Sequence, residues 1–221
     1  MVIDLHVHTN VYSSCSIIDP AEAIREAKKI GLEGLCFTEH NKRWDKEALQ
    51  KLSQKENFPL FCGVEVETRE GHLLVLGVNK DFEGITSLDE LLDLVKKENG
   101  VIIIAHPFRG FLLFGFADLN LQVERASQRQ IFRQVEAIEI LSGKATKKEN
   151  DLAKEVSKRL KLKGVGGSDA HAPGEVGRCV TVFKKPVIKN EAELIAELKK
   201  GEYEAAYWLI KNKPRGAIYG E

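Results

Sequence analysis

The sequence predicts a single α/β domain whose mainly parallel sheet has enough strands to close into a barrel. Three observations predict it. Strand and helix signals alternate at short intervals along the 221 residues, the pattern of an α/β protein. About seven or eight strand signals are present, the number a closed barrel needs. All six histidines, His6, His8, His40, His72, His106 and His171, fall at or beside the end of a predicted strand, and none falls on a helix.

The chain opens with a strand over Met1 to Thr9, in which Asp4, His6 and His8 would share one face because residues two apart project together. Two imidazoles and a carboxylate on one buried face need several partners or a cation, so this strand reads as half of a metal site. Asp19-Pro20-Ala21-Glu22 supplies a cap, a proline at the first helical position and an early acid; the helix ends at Gly31. Gly34 to Thr38 is a buried strand ending in Glu39-His40-Asn41, and Trp44 to Lys55 has helical spacing. Leu60 to Glu67 and His72 to Val78 are strands joined by a tight turn at Glu70-Gly71.

A helix over Ser87 to Asn99 is capped by Ser87, with Glu90 three residues on, and Gly100 stops it. Val101 to Ala105 reads as a strand buried on both faces, running into His106-Pro107. From Arg109 to Gln134 the pattern loosens into an insertion that would cover a site, with Phe111 to Phe116 as a hydrophobic lid or a packed apolar patch. Ala137 to Leu141 is a strand, and Thr146 with Glu149 is a capping box opening a helix to about Leu162. Gly164-Val165-Gly166-Gly167 leads to Ser168-Asp169-Ala170-His171; the glycine pair reads as a phosphate-cradling loop or as room for close backbone approach. Cys179 to Phe183 is the last strand, Asn190 caps a helix ending near Gly201, and a short basic tail follows. Residues 1–185 are expected to form the domain and 186–221 a C-terminal extension packed on it.

Lys+Arg and Asp+Glu each total 33, so no basic field exists to capture duplex nucleic acid at long range. The N-terminus lacks the parts of a signal peptide, and no run approaches the roughly 20 apolar residues of a membrane span. A soluble, cytoplasmic protein is expected. Cys15, Cys36, Cys62 and Cys179 form no CxxC pair, and three of them lie in apolar strands, which favours reduced thiols.

In a barrel the C-terminal strand ends converge on one rim, where ligands bind. Five histidines lie at such ends, and His72 reaches the same rim if its strand runs antiparallel to its neighbour. Glu65 and Asp169 join them. Six imidazoles and two carboxylates exceed the ligands of a single zinc, so two or three metals are expected. Glu65, with two oxygens, is the natural bridge between ions spaced about 3.5–4 Å apart. Imidazole-rich ligation suits Zn, Mn, Fe or Ni.

These residues resemble the polymerase and histidinol phosphatase (PHP) domain family of metal-dependent phosphoesterases. The resemblance rests on Asp4-Leu5-His6-Val7-His8-Thr9, Thr38-Glu39-His40-Asn41, Gly63-Val64-Glu65, Ala105-His106-Pro107 and Ser168-Asp169-Ala170-His171, in the family's order over residues 1 to about 185. It implies a distorted (β/α)7 TIM-like barrel with a short C-terminal helical extension. It further implies a first metal on His6, His8, Glu65 and Asp169, a second on Glu65, His72 and His106, and a third drawing on His40 and His171. Two departures stand out. Glu39 replaces the usual aspartate of the second motif. Where the family places an acid or a histidine the chain offers Ser13, Ser14 and Cys15, with Ser14 aligned there to within one residue, which leaves a third site weak, absent or rebuilt.

The reaction so implied is hydrolysis of a small phosphomonoester or nucleotide, with two metals lowering the pKa of a bridging water. Arg109 and Arg178 are candidate phosphate clamps, each alternatively a surface or packing arginine; Lys42 and Arg43 are weaker candidates. Asp169 contributes to catalysis as a ligand, and His40 and His171 become proton donors to the leaving group if they hold no metal. Asp4 is expected to orient a histidine or to hydrogen-bond the backbone, and Glu67 either to support Glu65 or to lie on a solvated edge. Other readings are a nuclease acting from an end of short single-stranded oligonucleotides and a non-catalytic metal-binding module.

Overall fold

The computed structural model describes residues 1–110 and 119–208. Its strands are β1 (Val2–Val7), β2 (Gly34–His40), β3 (Leu60–Thr68), β4 (Gly71–Leu76), β5 (Val101–Ile104), β6 (Ala137–Ser142), β7 (Lys163–Gly167), β8 (Cys179–Phe183) and β9 (Tyr203–Tyr207). The helices are α1 (Pro20–Lys29), α2 (Lys46–Glu56), α3 (Leu88–Lys97), α4 (Leu119–Ser127), α5 (Lys147–Leu160) and α6 (Glu191–Lys200). The lid segment Phe111 to Phe116 lies outside the described residues.

The predicted caps do their work locally. Asp19 accepts from the Ala21 and Glu22 amides, Thr146 and Glu149 form the reciprocal capping box, and Asn190 accepts from Glu193. Ser87 precedes α3 but makes no side-chain cap bond.

The strands form one sheet in the order β7-β6-β5-β4-β3-β2-β1-β8-β9. Parallel pairing joins β1 to β2, β2 to β3, β5 to β6 and β6 to β7; the other four pairs are antiparallel. Seven of the nine strands therefore run in one direction, as the sequence predicts, and only β4, between β3 and β5, and β8, between β1 and β9, run against them. The strand β9 has no counterpart in the sequence reading; it pairs with β8 from Cys179–Tyr207 to Phe183–Tyr203.

The sheet curls until its ends meet. Thr181 on β8 donates from its hydroxyl to Gly166 O (2.9 Å) and accepts from Gly166 N (3.0 Å) on β7. A Cβ at Gly166 would lie 2.4 Å from Val180 O, so only glycine allows this approach. Past β7, Ala170 bridges Val7 in parallel, with His8 N donating to Ala170 O at 3.0 Å. The result is a nearly closed barrel.

Its interior is filled below the rim by Ile3, Leu5, Cys36, Phe61, Leu74, Leu76, Val101, Ile103, Ala137 and Val165, with Leu194 and Leu198 of α6 in the same cluster. Two further clusters pack sheet against helices, one with α1 and α2, the other with α3 and α5. Burying each large aliphatic side chain contributes about 1.5–3 kcal/mol. Strand alternation then sets the top of the barrel: Phe61, Gly63 and Glu65 share a face of β3, as do Leu76, Leu74 and His72 of β4. The apolar floor thus becomes polar at the rim. All four cysteines are unpaired, and Cys36, Cys62 and Cys179 are buried. Among the described residues no helix is long and apolar enough to cross a membrane.

Candidate metal centre

Glu65 is the hub. Its carboxylate is 1% exposed, with Oε1 2.9 Å from His72 Nδ1 and 2.9 Å from His106 Nε2. Its Oε2 lies 2.9 Å from His40 Nδ1, 3.2 Å from His8 Nε2 and 3.6 Å from His6 Nε2. The register explains the meeting: His40 pairs with Glu65 across β2 and β3, and antiparallel β4 presents His72 at its own start, as the sequence led us to expect.

Asp169 is the second carboxylate. Oδ1 lies 3.5 Å from His8 Nε2, 3.6 Å from His6 Nε2 and 3.5 Å from His171 Nδ1, and Oδ2 lies 3.8 Å from His106 Nε2. Arg109 donates to Oδ2 through Nη1. Asp169 and His106 both have left-handed backbone, φ 53° and 25°, a conformation that side-chain-bearing residues hold only when their surroundings enforce it.

The geometry fits cations. His6 Nε2 and His8 Nε2 are 3.0 Å apart, and Glu65 Oε2 is buried without a hydrogen bond although three imidazole nitrogens surround it. Three sets, His8–His40–His171, His6–His8–Asp169 and His6–Glu65–His106, each bring their ligand atoms within 4.8 Å of one another. Bonds of about 2.0–2.1 Å in a tetrahedral zinc site place ligands about 3.3 Å apart, close to the spacings here.

The electrostatics agree. Burial works against the charged form of Glu65, yet His6, His106 and His40 hold its carboxyl well below the ordinary range. Asp169 is likewise lowered against its burial, by His6 and His8. Burial opposes protonation of His6 and His8, but the surrounding carboxylates raise both. Burial pushes His171 down.

Supporting contacts revise several sequence expectations. Ser13 is the buried serine, while Ser14 is exposed. Ser13 Oγ lies 3.2 Å from His8 Nδ1, donates to Glu39 Oε2 (2.5 Å) and accepts from His40 N (3.2 Å). Glu39 also accepts from Thr9 N and from Trp44 Nε1 (2.9 Å), so it anchors the rim rather than reaching the carboxylates.

Asp4 touches no imidazole. It accepts from Ser168 N (2.9 Å), Ser168 Oγ (2.5 Å), Gly177 N (2.8 Å) and His6 N (3.2 Å), tying β1 to the Asp169 loop. Burial raises its carboxyl to about 6. The alternation argument failed there because the β1–β2 register breaks between Asp4 and Val7. Leu5 and His6, adjacent in sequence, pack respectively in the interior cluster and against the rim carboxylates.

Arg178 is 45% exposed and faces Glu175 at 3.6 Å, with no contact to the histidines among those described. Lys42 pairs with Asp81, Arg43 with Glu191, and Glu67 is exposed. One residue was missed: Glu139, buried on β6, lies 3.1 Å from His6 Nδ1 and accepts from His106 N at 2.8 Å. Its signal was an acid inside the apolar run Ala137 to Leu141. Beside the rim, a cavity of about 240 Å³ is lined by His72, His106, Arg109, Arg129 and Phe132, among others.

Residues 147–203 match the family described as PHP-associated. An uncharacterized protein of Methanocaldococcus jannaschii is 30% identical over 118 residues, 49% of this chain and 68% of its own length. A protein of Thermoanaerobacter sp. named "probable phosphatase" is 29% identical and covers 86% of both chains. A two-domain Bacteroides vulgatus crystal structure, containing a "predicted PHP-like metal-dependent phosphoesterase", superposes with TM-score 0.70 at 18% identity. The match covers 94% of this chain and 65% of that one. By these matches, with its β1, β2, β3, β5 and β7-loop motifs brought together on one rim, the chain belongs to the PHP family.

Proposed function

We propose that the chain hydrolyses a small phosphorylated substrate, a phosphomonoester or nucleotide, at a centre of two or three divalent metals. The observation that carries this is Glu65 Oε2, a buried acceptor without a hydrogen bond among converging imidazoles. In this reading His6, His8, Glu65 and Asp169 hold one ion, Glu65, His72 and His106 a second, and His40 and His171 contribute to a third. Zinc, manganese and iron all suit the donor set. Bound metals supply Lewis acidity and positive charge for the phosphoryl group, and they activate water.

The chain's own groups do the rest. Arg109, 38% exposed and anchored on Asp169, offers its remaining N–H groups to phosphoryl oxygens. Fully buried His6 and His8 keep bulk water from the floor of the site, where low polarity strengthens every charge interaction. His40 and His171 are partly exposed at the mouth, where a leaving group departs; if they hold no metal, either ring can deliver the proton it needs.

Release of inorganic phosphate from a panel of nucleotides and sugar phosphates, with Mn²⁺ or Zn²⁺, tests the reading. Turnover that chelators and the His8→Ala and Asp169→Ala substitutions abolish is expected. A metal-loaded protein inert on the whole panel would refute it, and labelled single-stranded oligonucleotides would reveal a nuclease instead.

A further inference from the structure

We infer that Glu139 is a positioning residue: one buried carboxylate that fixes which nitrogen of His6 faces the metals and that holds the backbone of His106. The inference rests on the metal centre proposed above. Glu139 Oε2 already accepts from His106 N, and Oε1, 3.1 Å from His6 Nδ1, is placed to accept a ring proton held on Nδ1. That leaves the Nε2 lone pair facing the gap where His8 Nε2, Glu65 Oε2 and Asp169 Oδ1 lie at 3.0–3.6 Å. With the other tautomer, an N–H would point into that gap and His6 could not ligate.

The second oxygen, Oε2, accepts from His106 N at 2.8 Å. His106 has φ 25° and precedes Pro107, a backbone that must be held from outside. The same side chain thus serves two ligand sets, His6–His8–Asp169 and His6–Glu65–His106.

A separate observation supports this. At Gly167, the last residue of β7, an added Cβ would lie 2.5 Å from Glu139 Oε1 and 2.5 Å from His6 Cβ. The glycine leaves the space through which the carboxylate and the imidazole meet, which answers what the Gly166-Gly167 pair is for. No phosphate-cradling role is needed.

Glu139→Gln keeps the volume but offers one acceptor and one donor, so it can satisfy His6 Nδ1–H or His106 N–H and not both. Zinc affinity measured by chelator competition should fall about 10–100-fold, and Glu139→Asp, which keeps both acceptors, should recover part of the loss. Wild-type zinc affinity in Glu139→Gln would overturn the inference. Long-range ¹H–¹⁵N spectra of zinc-loaded, histidine-labelled wild type give a readout that needs no variant. A proton on His6 Nδ1 with Nε2 bound to zinc is expected, and the reverse arrangement would overturn it. Zinc binding without phosphatase activity would remove the hydrolytic reading and leave Glu139 in its role. A wild type that binds no divalent metal would sink both.

Discussion

Zinc uptake by the metal-free protein should expel protons and strengthen steeply as pH rises. Burial opposes charge on His6 and His8, but Glu139, Asp169 and Glu65 around His6, and Asp169 and Glu65 around His8, raise both above the ordinary 6.5. A hydrogen bond to Glu65 raises His72 as well. These shifts favour the protonated rings, and a ligating nitrogen must lose its proton before it binds metal. Burial shifts His171 the other way, toward the neutral ring. Each proton released steepens apparent affinity about tenfold per pH unit.

The same rings govern metal-free stability. Groups with raised folded values stabilise fully below 6.5, and that contribution disappears as pH rises through those values. Glu65 and Asp169, held low, stabilise above their ordinary values of 4.5 and 3.8 and lose that only on acidification. Metal-free protein should therefore lose stability from pH 6 to pH 8. Zinc at 100 times its Kd restores about 2.7 kcal/mol, or about 5–11 °C in Tm for a chain of this size. Thermal melts with and without zinc at both pH values, with titration calorimetry in two buffers of different ionisation enthalpy, measure both effects. A zinc affinity independent of pH, with no proton released, would refute the reasoning.

Two other predictions separate neighbours in sequence or chemistry. Ser13→Ala removes an oxygen that meets Glu39, His40 N and His8 and should cost about 1–3 kcal/mol in urea unfolding, whereas exposed Ser14→Ala should stay within about 0.5 kcal/mol. Arg109→Ala should lower kcat/KM by about 10–150-fold, the worth of one charge-assisted hydrogen bond, while Arg178→Ala should leave it near wild type; equal effects would reject Arg109 as the phosphate clamp.

Much of this was legible before any coordinates. Helix ends were marked by Asp19, Thr146 and Asn190, whose side chains bond the backbone locally and need no tertiary context. The histidine rim was legible because strand ends converge in any barrel, and the tight turn at Gly71 fixed the direction of β4.

What escaped depended on tertiary detail. Tyr203 to Tyr207 carries two alanines and no β-branched residue; the edge of β8, not propensity, makes it a strand. Ser13 and Ser14 differ only by which one a loop turns inward, and loops have no period to read. Asp4 was assigned by strict alternation, which the register break in β1 cancels. Arg178 was placed by sequence distance from His171, but Glu175 lies between them and engages it.

The central claim is that the rim is a metal centre organised by Glu65. Anomalous diffraction from crystals grown with Zn²⁺ or Mn²⁺ tests it most directly. Two or three peaks are expected among the six histidines, with at least one about 2.0–2.2 Å from the Glu65 carboxylate. A folded, metal-saturated crystal with no peak at Glu65 would contradict the claim.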